Sequence, residues 1–413
     1  MELTGEERAW LDGRAGRAHQ LAMELMVAAA DASGATEFVP IEFAHIGSSF
    51  YSGQLSVDFG EFLLAEGATL AVPTHTNASL TDCSQPHLRP EAVDPDAVRG
   101  SARLMEIYEA LGCTSMWSCA PYQQTEARPA LGTQIAGSES NAVSFFNSVL
   151  GARTNKYGDL LDISTAITGR VPLAGLHTDE GRLATEVFHV QVSDSLRSDT
   201  SLPHLLGIII GREVGTAIPV FDGLDSMAED ELKAIAAAGA TSGAVAMFHV
   251  VGVTPEAPTL ADALGGRPPA RQTVIDDAWV ERTRAGLSPV RSGPVDAVCL
   301  GTPHFSIEEF GALLDALGDR TCHRDVSVLV TTSRTVEHEL RLRGWRDRLL
   351  DAGITIVLDT CTYYTPVTTG VEGTVMTNSA KWAYYAPGIL GIDIAFGSLG
   401  DCVESAIAGE VLT

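Results

Sequence analysis

Residues 295–361 read VDAVCLGTPHFSIEEFGALLDALGDRTCHRDVSVLVTTSRTVEHELRLRGWRDRLLDAGITIVLDTC, and their pattern decides the fold. Three apolar runs, 295–300, 326–331 and 354–358, have strand length. The stretches between them, 306–317 and 335–352, carry apolar residues at helical spacing. Strands separated by helices of this length form parallel βαβ units, so a doubly wound α/β sheet is expected. A fourth strand falls at 392–396 and a last helix at 402–408. Such sheets bind ligands at the carboxyl ends of their strands. Those ends read Gly301-Thr302-Pro303-His304, Thr331-Thr332-Ser333-Arg334 and Asp359-Thr360-Cys361. Ser306 and Ser333 stand where helix N-caps belong, and helix N-termini favour anions. The convergence suggests a site for a negatively charged small molecule; the plainer reading is that these residues cap helices and close turns.

Working back toward the N-terminus, residues 254–273 carry Pro255, Pro258, Pro268 and Pro269 beside Gly265 and Gly266. A boundary there divides the chain into an N-terminal α/β region, 1–270, and a doubly wound C-terminal domain, 271–413. In the first region a helix is expected over 5–33, strands at 38–45 and 69–73 around a helix at 58–66, and irregular chain over 73–99. Residues 187–218 read as strand, turn and strand, 228–238 as a short helix, and 243–253 as a buried strand. Residues 137–172, GSESNAVSFFNSVLGARTNKYGDLLDISTAITGRVP, mix Ser, Asn and Thr with Phe145, Phe146, Val149 and Leu150. Polar groups on every side of a helix must find partners, so these helices are expected to line a cavity.

Among 413 residues, 45% are hydrophobic, enough for several cores, and 27 basic against 53 acidic residues give a net charge of −26. That charge repels phosphate backbones and anionic bilayers, which excludes nucleic-acid and membrane-surface binding as expectations. Residues 1–17 are charged, without the apolar core of a signal peptide, and no run of about 18 apolar residues occurs, so a cytoplasmic protein is expected. The seven cysteines, Cys83, Cys113, Cys119, Cys299, Cys322, Cys361 and Cys402, are widely spaced without a CxxC pair. In a reducing compartment they are core residues, nucleophiles or metal ligands.

Several blocks resemble the large subunit of the aconitase X family. They are Cys119-Ala120-Pro121-Tyr122, Glu139-Ser140-Asn141-Ala142-Val143, the run from Asn147 to Asn155, Asp162-Ile163, Ala166 to Arg170, Asp359-Thr360-Cys361, Asn378-Ser379-Ala380-Lys381 with Tyr384 to Gly388, and Phe396 to Cys402. They run in one collinear order from about His45 onward. The resemblance implies a hydro-lyase with an aconitase-like α/β fold: three α/β domains with parallel or mixed sheets around a central site. Residues 1–270 would then hold two interleaved domains. No part of the chain resembles the family's swivelling β domain, which is expected on a separate small subunit, giving a heterodimer.

The resemblance also implies an iron-sulfur cluster held by three cysteines. Cys119 and Cys361 match two of the family's positions, whereas the third reads Thr302, a hard oxygen donor that does not replace a thiolate on iron. Cys299, three residues earlier in a strand, points to the opposite face. Three readings stay open: a smaller or atypical cluster on Cys119 and Cys361 with help from His304 or another residue, a single metal ion, or loss of the cluster. Residual buried thiols are the plain alternative. By the same resemblance His45, Asn77, Ser140 and Lys381 are candidate catalytic residues. Thr74, His75, Ser138, Glu139, Asn141, Arg153, Thr154, Asn155, Ser333, Arg334 and Ser379 are candidates for substrate binding. An arginine fork suits a substrate carboxylate, although Arg153 or Arg170 could equally make a salt bridge between domains.

The expected reaction is dehydration of a small hydroxy acid, with cis-3-hydroxy-L-proline first. Mevalonate 5-phosphate or another hydroxy acid is the alternative. A reading of another class is a relative without the cluster that serves as a binding or scaffolding partner.

Overall fold

The computed structural model describes residues 1–81, 84–89, 93–364 and 371–413; Cys83 lies outside them. Three parallel sheets and one antiparallel ribbon organise the chain. In the first domain the strands are β1 (Phe38–Pro40), β2 (Ala44–Ile46), β3 (Thr74–Thr76), β4 (Ala136–Gly137) and β5 (Arg170–Pro172). The order β3-β2-β4 is parallel, and β1 pairs with β5 in the ribbon. In the second domain β6 (Glu186–Gln191), β7 (Pro219–Asp222), β8 (His249–Val250) and β9 (Arg271–Asp276) take the order β8-β7-β6-β9. In the third, β10 (Ala297–Leu300), β11 (Ser327–Thr332), β12 (Ile354–Leu358), β13 (Thr374–Thr377) and β14 (Asp393–Phe396) take the order β12-β11-β10-β13-β14, all parallel.

The third sheet is covered on both faces, as parallel sheets are. Val298, Leu300, Val328, Val330, Ile354 and Ile356 face one core with Phe310, Leu313, Leu340, Leu349 and Val403. The alternate residues Ala297, Cys299, Leu329, Val357 and Val375 face another core, with Trp382, Ala383 and Ala386 from the helix Ala380–Leu390. The order reverses between β10 and β13, so a crevice opens beyond their carboxyl ends. The first domain's β2 and β4 reverse in the same sense.

Several expectations differ from the structure. The second domain continues past residue 270, because β9 is the edge strand paired with β6; the proline-rich stretch before it carries the short helix Leu260–Ala263 and buries Ala257, Ala263 and Leu264 within that domain. Residues 202–213, inside the stretch 187–218 expected as strand, turn and strand, form the helix Leu202–Glu213. Its Ile208, Ile209 and Ile210 read as β because the helix is apolar nearly all round, being buried against the helix Glu229–Ser242. Glycines allow that packing: a Cβ on Gly243 would come within 1.9 Å of the Gly211 carbonyl. The expected helix over 5–33 breaks into Gly5–Leu11 and Arg17–Ser33 at Gly13 and Gly16, both with positive φ. The one over 335–352 breaks at Gly344, also with positive φ. The strand expected at 69–73 forms a few residues later as β3, 38–45 splits into β1 and β2, and 243–253 keeps only β8. Strand β13 and the helix Ala380–Leu390 had no counterpart in the sequence reading.

Candidate active site and metal centre

The carboxyl ends of the first and third sheets meet. Cys119 follows the helix Pro95–Ala110, and Cys361 lies three residues beyond β12. Between them the chain turns at Asp359, a non-glycine residue with φ 66°, which costs about 1–2 kcal/mol. The Arg334 guanidinium grips the Asp359 carboxylate with two bonds of 2.8 and 2.7 Å, and the Ser79 N–H donates to its carbonyl at 2.7 Å. The turn brings the Cys361 sulfur to 4.0 Å from that of Cys119. His304 completes a buried group of three donors, their ligand atoms all within 4.8 Å of one another.

His304 is fixed by its surroundings. Its Nε2 lies 3.0 Å from the Thr360 carbonyl and its Nδ1 3.1 Å from the Ser118 hydroxyl. A carbonyl only accepts, so Nε2 carries the proton and Nδ1 accepts from Ser118. The His304 N–H donates to the Cys119 sulfur at 3.4 Å, and the Gln123 amide holds the His304 carbonyl at 2.8 Å. The Cys119 thiol is pulled down to about 6, first by its hydrogen bond with Cys361 and further by His304. The same contact pushes the Cys361 thiol up. One thiolate is thus formed readily in a dry site, which is the state that binds soft metals.

Beside the sulfurs lies a buried ion pair. Lys381 Nζ donates to Glu139 Oε1 at 2.7 Å, with both side chains under a tenth exposed. Glu139 caps the helix Ser140–Ser148, where its other oxygen accepts the Ala142 N–H at 2.7 Å. Burial pushes its carboxyl up, but Lys381 and that N–H outweigh burial and hold it below the usual range. Lys381 is likewise held above its ordinary value by Glu139 against burial. It stands in the first turn of its own helix, the end that disfavours a cation, so helix stability does not account for it. His45, in the middle of β2, donates from Nε2 to the Ser118 carbonyl at 3.1 Å. Burial pushes it down to about 4 against the pull of Glu139, so it is neutral at pH 7.

The chain matches the aconitase X first domain over residues 1–180, the second domain over 184–285 and the third over 295–408. The chain belongs to the aconitase X family. It is 40% identical to a cis-3-hydroxy-L-proline dehydratase of Pseudomonas aeruginosa, over 98% of this chain and 70% of that protein. A protein of the same name from Hypocrea jecorina is 38% identical, over 99% and 69%. The phosphomevalonate dehydratase large subunit of Methanothermobacter thermautotrophicus is 33% identical over 95% of each chain. The crystal structure of Thermococcus kodakaraensis aconitase X, in its holo-form, superposes with a TM-score of 0.88 at 28% identity, covering 98% of this chain and all of that one. The first three of these relatives are named dehydratases, and the three domains of aconitase X are matched in order along this chain. Among the described residues no helix is long and apolar enough to cross a membrane.

For a metal or cluster the donor set of this aconitase X chain fits in part. Two soft sulfurs and one imidazole converge in the buried interior, while Thr302, 3% exposed, offers a hydroxyl with no hydrogen-bond partner. His304 joins the sulfurs. The reading by family position singled out Thr302; the loop through Pro303 carries the next residue but one back to Cys119.

The remaining expected residues divide. Ser379 caps the helix that carries Lys381 and also donates to the Thr302 carbonyl. Asn141 binds the Cys119 carbonyl at 2.7 Å and accepts from Tyr122 at 2.8 Å; the Ser140 hydroxyl lies 3.4 Å from Glu139. Ser138 packs against the Gly47 backbone, where a Cβ would approach its hydroxyl to 2.5 Å. His75 is aligned with His45 on the neighbouring strand, lies tilted 4.9 Å from the Phe43 ring and keeps an unpartnered Nδ1, as does Asn77 its Oδ1. Thr74 bonds the Val72 carbonyl on the opposite face. Ser333 caps its helix by accepting from Val336. Arg153, Thr154 and Asn155 are not brought to the sulfurs. Arg153 pairs with exposed Asp179, Thr154 holds Gly137 at 2.9 Å, and Asn155 binds the Ala174 carbonyl and the Leu176 N–H, each at 2.9 Å. Much of the segment between β4 and β5 is therefore a frame, tied within the first domain and to the second through Asn147 and Ser148, while the Ser144 hydroxyl keeps no partner among the described residues; the helix turn capped by Glu139 reaches the site.

Proposed function

We propose that this chain is the large subunit of a hydro-lyase that removes water from a small hydroxy acid, with cis-3-hydroxy-L-proline as substrate. The observation that carries the reading is the buried Cys119–His304–Cys361 group beside the Lys381–Glu139 pair, in a chain 40% identical to a dehydratase of that name. Elimination takes a proton from the carbon next to the carboxylate and a hydroxide from its neighbour, leaving a double bond and water. Hydroxide is a poor leaving group, and an iron centre or other metal held by Cys119, Cys361 and His304, whose Nδ1 would exchange its bond from Ser118 for the metal, would supply Lewis acidity toward it.

The chain's own residues do the rest in this reading. Lys381 holds the substrate carboxylate, and Glu139 sets the position of that ammonium. His45, kept neutral by burial, has a lone pair to take a proton at pH 7. Asn77 and Ser140 orient the ring. The cations beside the site, Lys381 and Arg334, already have carboxylate partners in Glu139 and Asp359. That near balance of charge favours an amino acid over a phosphorylated hydroxy acid, whose additional two negative charges would need further cations. A smaller partner completes the enzyme, as the large-subunit relatives' name implies.

The test is turnover of cis-3-hydroxy-L-proline and mevalonate 5-phosphate by anaerobically purified chain with its partner, alongside metal and sulfide per chain. Turnover of the proline alone, with both metal and activity lost in Cys361→Ala, is expected. Full activity in Cys361→Ala would refute the metal assignment, and preference for the phosphate ester would refute the substrate.

A further inference from the structure

The helix Ala380–Leu390 presents its inner face to the core and the site, through Lys381, Trp382, Ala383 and Ala386. Its outer face is built from Tyr384, Pro387, Gly388 and Ile389, with Tyr384 40% and Ile389 43% exposed. No charged residue stands on that face, in a chain of net charge −26. By contrast the helix Arg334–Leu342, RTVEHELRL, carries charges along its exposed positions. Pro387 sits inside the helix and Gly388 follows it. Both weaken a helix, and at water-facing positions better helix formers would cost nothing in packing. The face is composed as an interface core is, apolar and aromatic with charge depleted.

Aromatic rings continue from it to the site. Tyr384 meets Tyr385 at 5.8 Å, Tyr385 stacks on Tyr363 at 5.6 Å, Tyr363 meets Tyr364 at 4.2 Å, and Tyr364 meets Phe50 of the first domain at 4.9 Å. Tyr363 and Tyr364 directly follow the loop of Cys361. A molecule seated on the helix therefore lies against the rim of the site, with Lys381 on the helix's other side.

The comparisons indicate what sits there. The match accounts for 70% of the Pseudomonas aeruginosa relative and 69% of the Hypocrea jecorina one, so each carries a further part of nearly a third of its length. The proteins named large subunits are matched over nearly their whole length. We propose that the uncharged face of the helix Ala380–Leu390, with the tyrosine row beside it, is the seat of the smaller partner polypeptide, docked through an apolar patch of its own. This rests on the large-subunit reading above. A second copy of this chain is the poorer occupant, since two chains of −26 repel each other.

The experiment purifies the tagged full chain with its bound polypeptide from its source cells and reads stoichiometry by native mass spectrometry. Wild type, Tyr384→Glu, Ile389→Glu and the control Leu342→Glu, at a more exposed leucine on another helix, are compared, with melting of each isolated chain. A 1:1 complex with a smaller polypeptide is expected in wild type and control. At least tenfold weaker association is expected in both face variants, at unchanged melting temperature. Undiminished complex in both face variants overturns the proposal, as does a wild-type chain found only as copies of itself. Hydroxyproline turnover by the wild-type complex separates the two readings: complex lost in the variants without any wild-type turnover sinks the substrate and keeps the surface.

Discussion

Replacing Lys381 by Met removes one charge from a buried pair and leaves Glu139 facing the sulfurs without its cation. Breaking such a pair from one side costs about 3–5 kcal/mol, because the remaining charge stays desolvated. Glu139 retains only the Ala142 N–H and its neighbour's hydroxyl, so it avoids much of the cost by taking a proton. In the wild type the Glu139 carboxyl is held low, so its contribution is present above the unfolded value near 4.5 and is lost as pH falls. In the variant burial is opposed chiefly by the Ala142 N–H alone, and the folded carboxyl is expected to titrate above the unfolded one. The sign then inverts: the folded state holds a proton that the unfolded chain has released, and stability falls as pH rises. At about 1.4 kcal/mol per pH unit, a loss of 3–5 kcal/mol corresponds to a rise of about 2–4 units. Urea unfolding of metal-free wild type, Lys381→Met, Glu139→Gln and the double variant at pH 5, 6, 7 and 8 measures this. The single Met variant should lose stability steadily between pH 5 and 7, with the double variant restoring most of it. A Lys381→Met protein that is within 1 kcal/mol of wild type at pH 7 and flat with pH would refute the reasoning.

Three further outcomes are expected. Thr302→Cys puts a third sulfur where a buried hydroxyl has no partner, so metal retained per chain after chelator treatment should rise, and an unchanged or lower content would remove position 302 from the centre. Arg182 is 2% exposed and joins Glu256 of the second domain to Asn147 of the first; Arg182→Met should cost about 3 kcal/mol or more in urea unfolding, and a loss under 1 kcal/mol would show that the seam is held otherwise. His204, pushed down to about 3 by burial and then by Lys233, binds a proton unfolded but not folded, so stability is full above pH 6.5 and falls as pH drops. His204→Asn should flatten that fall by about 1.4 kcal/mol per unit between pH 6 and 4, and an unchanged slope would place the histidine's titration elsewhere.

The third domain was legible because a parallel sheet buried on both faces needs continuous apolar strands, and β10, β11, β12 and β14 have them. Strand β13 was not: Thr374 to Thr377 is short, and Met376 is its one long apolar residue. The helix Leu202–Glu213 misled for the opposite reason, since burial on nearly every side erases helical periodicity. At the site the strand-end loops and Cys119, Cys361, Glu139 and Lys381 stood out by residue type, position and family blocks. The pairing of Lys381 with Glu139, 242 residues apart, did not, because nothing local records it. Arg153, Thr154 and Asn155 matched the same blocks yet bond within the first domain. A block match does not distinguish residues that hold the frame from residues that face the cavity.

Local rules are broken at a few places in this chain, and three of them fall within residues 359–388. Asp359 takes a left-handed turn without being glycine, Lys381 stands at the helix end that repels it, and Pro387 and Gly388 interrupt a helix on its exposed side. Each choice lowers local stability, so each needs a compensating constraint elsewhere. For Asp359 the constraint is the Arg334 fork, and the result is a sulfur within 4.0 Å of Cys119. For Lys381 it is Glu139 from another domain. The first two exceptions build the site, and their partners lie inside the molecule. For Pro387 and Gly388 no neighbour among the described residues supplies a reason, although they share a helix with Lys381. The same logic that places Asp359 and Lys381 beside the sulfurs points the outer helix face toward the proposed contact with another polypeptide, on the side where Tyr384 and Ile389 meet water.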